Sequence, residues 1–168
     1  MLNKRLFVSS IVLLGLLACF WGPGAVQAEM KAMPSFMLDG VRDSGAIKSA
    51  DYTGKVLIVS FWATWCPHCR KEAGDFVELT TKYKDAPVQI IGISMDKGGE
   101  KVVLRFMERM KINYLIAMVT DQVKEDFGPI VGIPATFIID KQGMIVKKKF
   151  GYIPKKDLIA DIDRLLAE

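Results

Sequence analysis

Residues 56–69 read VLIVSFWATWCPHC. The first seven form a near-continuous apolar run rich in β-branched residues, the pattern of a central strand covered on both faces. Such a strand needs packed layers on either side, so the run constrains the architecture as well as the element. Two cysteines, Cys66 and Cys69, follow directly. They fall where the strand gives way to a helix, read here over residues 70–83, and Pro67 between them suits a first helical turn.

The rest of the chain alternates in the same way. Residues 88–94 read as a second buried strand. Residues 101–110 carry Val102, Val103, Phe106, Met107 and Met110 at helical spacing. A third strand is expected over 115–119 and a helical turn over 123–127. GIPATFIID at 132–140 is followed by the turn Lys141-Gln142-Gly143, a strand over 144–150 and an amphipathic helix over 155–167. Upstream, residues 35–38 and 46–49 read as short strands joined around Asp39-Gly40, with residues 30–34 as a tether. No internal repeat or linker interrupts the pattern. The class expected is α/β: a central mixed sheet flanked by helices.

The first 28 residues belong to a different regime. Lys4 and Arg5 precede an apolar run over 6–21, Gly22-Pro23-Gly24 breaks it, and Ala25-Val26-Gln27-Ala28 offers small residues for cleavage. That is the layout of a secretory signal peptide. Two other readings stay open, an uncleaved membrane anchor and, from Leu16-Leu17-Ala18-Cys19, a lipoprotein-type site. Cleavage after Ala28 makes 29–168 the folded domain and Glu29 its first residue. It takes Lys4 and Arg5 from the 23 basic residues and nothing from the 19 acidic ones, so the net charge falls from +4 to +2. The basic balance of the whole chain is therefore no argument for a nucleic-acid partner. Cys19 leaves as well, and the domain keeps Cys66, Cys69 and the chain's one histidine, His68.

Three uses of the cysteine pair can be compared. A structural bridge closing so short a loop removes little chain entropy. A structural zinc site wants four Cys or His ligands, and here there are three, with His68 wedged between the sulfurs, so no metal is expected. A redox pair fits the local physics. Cys66 stands at a helix N-terminus, where free N–H groups and the macrodipole favour a thiolate. Cys69 lies on the same helix face, within reach of a disulfide. On this reading Cys66 is the exposed attacker and Cys69 the shielded resolver, while a charged His68 adds to thiolate stabilisation. No cofactor is needed beyond the Cys66–Cys69 disulfide itself.

With FWATWC at 61–66, the C-x-x-C pair and GIPATFIID some seventy residues later, the chain resembles the thioredoxin superfamily. More narrowly it is similar to the exported TlpA/ResA-like thiol–disulfide oxidoreductases. This rests on FWATWCPHCRKE, an extra strand–helix segment between Ile90 and Thr120, and DFGPIVGIPATFIIDKQGMIV. The resemblance implies a thioredoxin-like fold with that insertion and an N-terminal hairpin. It implies Cys66 as nucleophile and Cys69 as resolver. Pro134, after Ile133, matches the family's cis-proline, whose loop lies beside the disulfide and pairs with a partner's backbone. Trp65 would flank the sulfur, and Trp62 is core or lies beneath it. Glu72 matches the acid that tunes the cysteines, the alternative being a solvated helix acid.

Two departures bear on direction. Thioredoxin has an aspartate where this chain has Ser60, so Glu72 or water must take the resolver's proton. Pro67-His68 resembles the DsbA-type oxidants, whereas the family context implies a reductant, and an intermediate potential is expected. The implied partners are cysteine-containing substrate proteins, apocytochrome c among them, and a membrane thiol–disulfide electron donor. A monomer outside the cytoplasm, periplasmic in a two-membrane cell, is expected. DsbA-like oxidation is the alternative. A thiol peroxidase is weaker, because Ala63 stands where peroxiredoxins carry threonine, and the intact C-x-x-C argues against a redox-inert binding module.

Overall fold

The computed structural model describes residues 31–42 and 44–168. The expected export segment, residues 1–28, lies outside them. Among the described residues no helix is long and apolar enough to cross a membrane.

Strand β4 (Val56–Trp62) is buried along its whole length. It pairs parallel with β5 (Val88–Ser94) and antiparallel with β7 (Ala135–Ile139). Beyond β5 lies β6 (Leu115–Met118), parallel to it. Beyond β7 lies β8 (Met144–Phe150), antiparallel, with β1 (Lys31–Ala32) on its outer edge. A separate hairpin pairs β2 (Met37–Asp39) with β3 (Ala46–Lys48). The mixed α/β sheet, the insertion and the N-terminal hairpin are as the resemblance implies.

Alternation along β4 supplies two cores. Val56, Ile58 and Trp62 face helices α1 (Pro67–Lys82), α2 (Glu100–Met110) and α4 (Lys155–Ala167). Leu57, Val59 and Phe61 face Phe36, the hairpin residues Leu38 and Ile47, and helix α3 (Asp121–Asp126) with Phe127. Because side chains alternate with period two, Ser60 falls on the α1 side of the sheet.

Two of the differences from the sequence reading have a clear local cause. Helix α1 begins at Pro67 rather than Arg70, since Cys66 is the cap and a proline costs nothing at the first position. Residues 31–32 form a strand rather than a tether. Two residues carry no readable periodicity, and their strand character comes from the partner, Lys31 opposite Ile145 and Ala32 opposite Met144.

Candidate active site

The turn from β4 into α1 is closed by the Cys66 N–H donating to the Ala63 carbonyl at 3.2 Å. Cys66 is extended (φ −82°, ψ 117°), as an N-cap residue should be. Its Sγ accepts from the Cys69 N–H at 3.2 Å, so the sulfur takes the capping role an oxygen usually plays. Cys66 and Cys69 are joined as a disulfide with Cα atoms 5.2 Å apart. The sulfur of Cys66 thus already lies against a helix N-terminus, where a thiolate gains most from free donors.

One expectation needs correcting. Cys66 is not openly exposed: it is 4% accessible against 1% for Cys69. The residue caps α1 four residues beyond the buried strand β4, and the Ile133 carbonyl oxygen lies 3.7 Å from its Sγ. The neighbours on either side are open instead. Trp65 is 64% accessible, and Pro67 and His68 are exposed in the first turn of α1.

Across the disulfide, the Ile133–Pro134 peptide is cis. Pro134 is buried and Ile133 half-buried. The Pro134 carbonyl accepts from the Gly151 N–H at 2.7 Å, which ties this loop to the segment entering α4. The structure therefore brings Cys66, Cys69 and the Ile133–Pro134 loop together, with Trp65 on the rim.

Glu72 is not a solvated helix acid. It is one turn beyond Cys69, 1% accessible, on the face of α1 turned to the sheet. Cys69, Glu72, Ser60, Trp62 and Tyr114 line one crevice too narrow for a water molecule. Ser60 Oγ donates to the Glu72 carboxylate at 2.9 Å and Thr136 Oγ1 at 3.2 Å. Burial drives the Glu72 pKa from its ordinary 4.5 up to about 7. The two hydroxyls and the Ile153 N–H pull the other way, and the charge of Asp75 adds to the rise. Glu72 can therefore hold or release a proton near neutrality beside Cys69.

Ser60 and Thr136 face each other across β4 and β7. On the sequence alone Ser60 reads only as a missing aspartate, and Thr136 is not singled out. Each is a polar residue inside a buried apolar strand, and such a residue needs a partner. That requirement was the available signal.

The profile of the AhpC/TSA family matches residues 30–148. The chain belongs to the AhpC/TSA family. It is 32% identical to sporulation thiol-disulfide oxidoreductase A of Bacillus subtilis over 162 residues, 94% of this chain and 96% of that one. It is 30% identical to thiol-disulfide oxidoreductase ResA of Geobacillus thermodenitrificans over 166 residues, 93% of each. Among solved structures, a thiol:disulfide interchange protein of the thioredoxin family from Chlorobium tepidum superposes with a TM-score of 0.76. That pair is 31% identical, with 83% of this chain and 98% of the other covered. The protein is a thioredoxin-fold thiol–disulfide oxidoreductase, and its likeness to the ResA-like enzymes is borne out.

Proposed function

We propose that the protein reduces disulfides of other proteins outside the cytoplasm, with Cys66 attacking and Cys69 resolving. Residues 1–28 would direct its export. In the forward half-reaction the Cys66 thiolate attacks one sulfur of a partner disulfide, forming a mixed disulfide and releasing the partner's other sulfur as a thiolate. Cys69, giving up its proton, then attacks Cys66 Sγ and frees the second partner thiol. Two electrons pass to the partner and the Cys66–Cys69 disulfide forms. A membrane dithiol donor reverses that step and is itself oxidised. Apocytochrome c is the substrate class the family likeness suggests. An extended segment of the partner would lie along Ile133–Pro134, with Trp65 beside it.

The observation that carries the direction is buried Glu72 beside Cys69. An ionised carboxylate there opposes thiolate formation, and destabilising the reduced state makes the disulfide less oxidising. His68 acts in the opposite sense, favouring the Cys66 thiolate as in the oxidant reading. Their positions decide the balance. His68 is exposed, where solvent and salt screen a charge. Glu72 is enclosed, where the same charge acts through a low dielectric. The Glu72 effect should dominate.

The potential against glutathione tests this. It should fall nearer the thioredoxin end of the range of roughly −270 to −120 mV spanned by thioredoxin and DsbA. Alongside it, Cys66→Ser should abolish exchange and Cys69→Ser should accumulate mixed disulfides with partners. A potential near the oxidising end, with the protein trapped almost wholly oxidised in cells, would replace the reductant reading by the oxidant one.

A further inference from the structure

Among the described residues three carboxylates are buried: Glu72, Asp96 and Asp140. Glu72 faces Cys69. Asp140 caps its own turn, accepting from the N–H groups of Gln142 and Met144. Asp96 is different, because what it holds is the segment leading into Cys66.

Asp96 lies two residues beyond β5. Its Oδ2 accepts from the Thr64 N–H at 2.9 Å and from Ser94 Oγ at 2.9 Å, and its Oδ1 accepts from Thr64 Oγ1 at 2.6 Å. The Thr64 carbonyl is also engaged, by Arg70 Nε at 2.6 Å. Both backbone polar groups and the hydroxyl of Thr64 are thus fixed, two residues ahead of Cys66. The Met95 N–H donates to the Trp62 carbonyl at 2.8 Å, so the ends of β4 and β5 are fastened just before the turn. Trp65 stands between two constrained residues, Thr64 below and the capping Cys66 above. That explains how a large apolar side chain can be mostly exposed and still belong to an ordered turn.

We infer that Asp96 is a positioning residue for thiol exchange: it locks the Thr64–Cys66 turn so that the Cys66 sulfur is aimed at an incoming disulfide and Trp65 is presented beside it. The inference rests on Cys66 being the attacking sulfur. Attack runs along the axis of the disulfide being broken, so the rate depends on where the sulfur points. A misplacement of about 1 Å can cost on the order of 100-fold in a reaction that depends on alignment. Hydrogen bonds donated to a buried carboxylate suit this role, being short and stiff.

Stopped-flow oxidation of the reduced protein by oxidised glutathione tests the assignment, with each variant's folded fraction measured by denaturation. Asp96→Ala should slow the reaction about tenfold per folded molecule. Thr64→Val should slow it in the same direction, and Thr64→Ser, which keeps the hydroxyl, should recover the loss. The Asp96→Ala/Thr64→Val double variant should be no slower than Asp96→Ala alone, since both act through one contact. A folded Asp96→Ala protein reacting at the wild-type rate, or losses that multiply in the double variant, would overturn the inference. If Asp96→Ala does not fold, equal rates for Thr64→Val and Thr64→Ser overturn it. Cys66→Ser is run in parallel: exchange surviving there removes the attacking-sulfur assignment itself, a result distinct from any Asp96 outcome.

Discussion

Burying a carboxylate costs several kcal/mol unless it is neutralised or partnered, and Glu72 is both. Two hydroxyls hold it, and burial keeps it protonated up to about pH 7. Its influence on the thiols is therefore conditional. Below that pH it is neutral and adds no repulsion to a Cys69 thiolate. Above it the charge appears and opposes thiolate formation. Glu72→Gln keeps the shape and removes the charge, so at least one cysteine should titrate lower than in the native protein. The exchange rates of the two proteins should converge below pH 7 and separate above it. Thiol absorbance titration of the reduced forms checks this, and superimposable curves would show that Glu72 does not reach the sulfurs. The C-x-x-C pattern made Cys66 and Cys69 legible in the sequence, because local spacing sets their relation. The burial of Glu72 was not legible. It depends on Ser60 and Thr136, which lie 12 and 64 residues away in sequence. Asp96, 32 residues from Thr64, escaped for the same reason.

Where β4 meets α1, the sheet must leave room for an indole. Trp62 lies over β5 and against Phe106 of α2, ring centroids 5.1 Å apart. The space exists because Gly92 has no side chain: a Cβ there would come within 2.8 Å of Trp62 Nε1 and 2.6 Å of Ile116 Cδ1. The isoleucine tip can rotate aside, but the indole is held by Phe106. Gly92→Ala should therefore destabilise the protein by about 1–3 kcal/mol through overpacking. The expected sign is a lower urea midpoint with an unchanged slope, and an unchanged midpoint would mean that Trp62 is free to move. Residues 88–94 were readable as a buried strand from their apolar run, glycine included. What the run does not say is that its glycine answers a tryptophan on the neighbouring strand. Strand β8 shows the complementary case. Its bounds were legible, and Lys148 and Lys149 are exposed as a solvated strand end would be, but Lys147 is half-buried and pairs with Asp161 on α4 at 2.6 Å.

At the scale of the molecule, element type was readable from period and length, while strand order was not. Nothing in residues 135–139 announces that they run antiparallel between β4 and β8, since pairing is decided by which faces can be buried together. The result places Glu72 in the middle of one of two cores, so its proton is coupled to folding as a whole. Unfolding exposes it and returns its pKa to about 4.5, against about 7 in the fold. A carboxyl raised in the folded state binds its proton more tightly there than in the unfolded chain. Its contribution is therefore fully present below pH 4.5, where both states are protonated, and declines as pH rises towards 7. Above 7 both states are ionised and the decline stops. The gap between the two values corresponds to about 3 kcal/mol, a large share of the 5–15 kcal/mol typical of a domain. In the disulfide form the cysteines do not titrate and cannot mask the effect. Denaturation of the oxidised protein between pH 4.5 and 7.5 should show stability falling with pH. Glu72→Gln, which has no proton to lose, should remove most of that slope and be the more stable protein at pH 7.5. A slope that survives the substitution would assign the titration to another group.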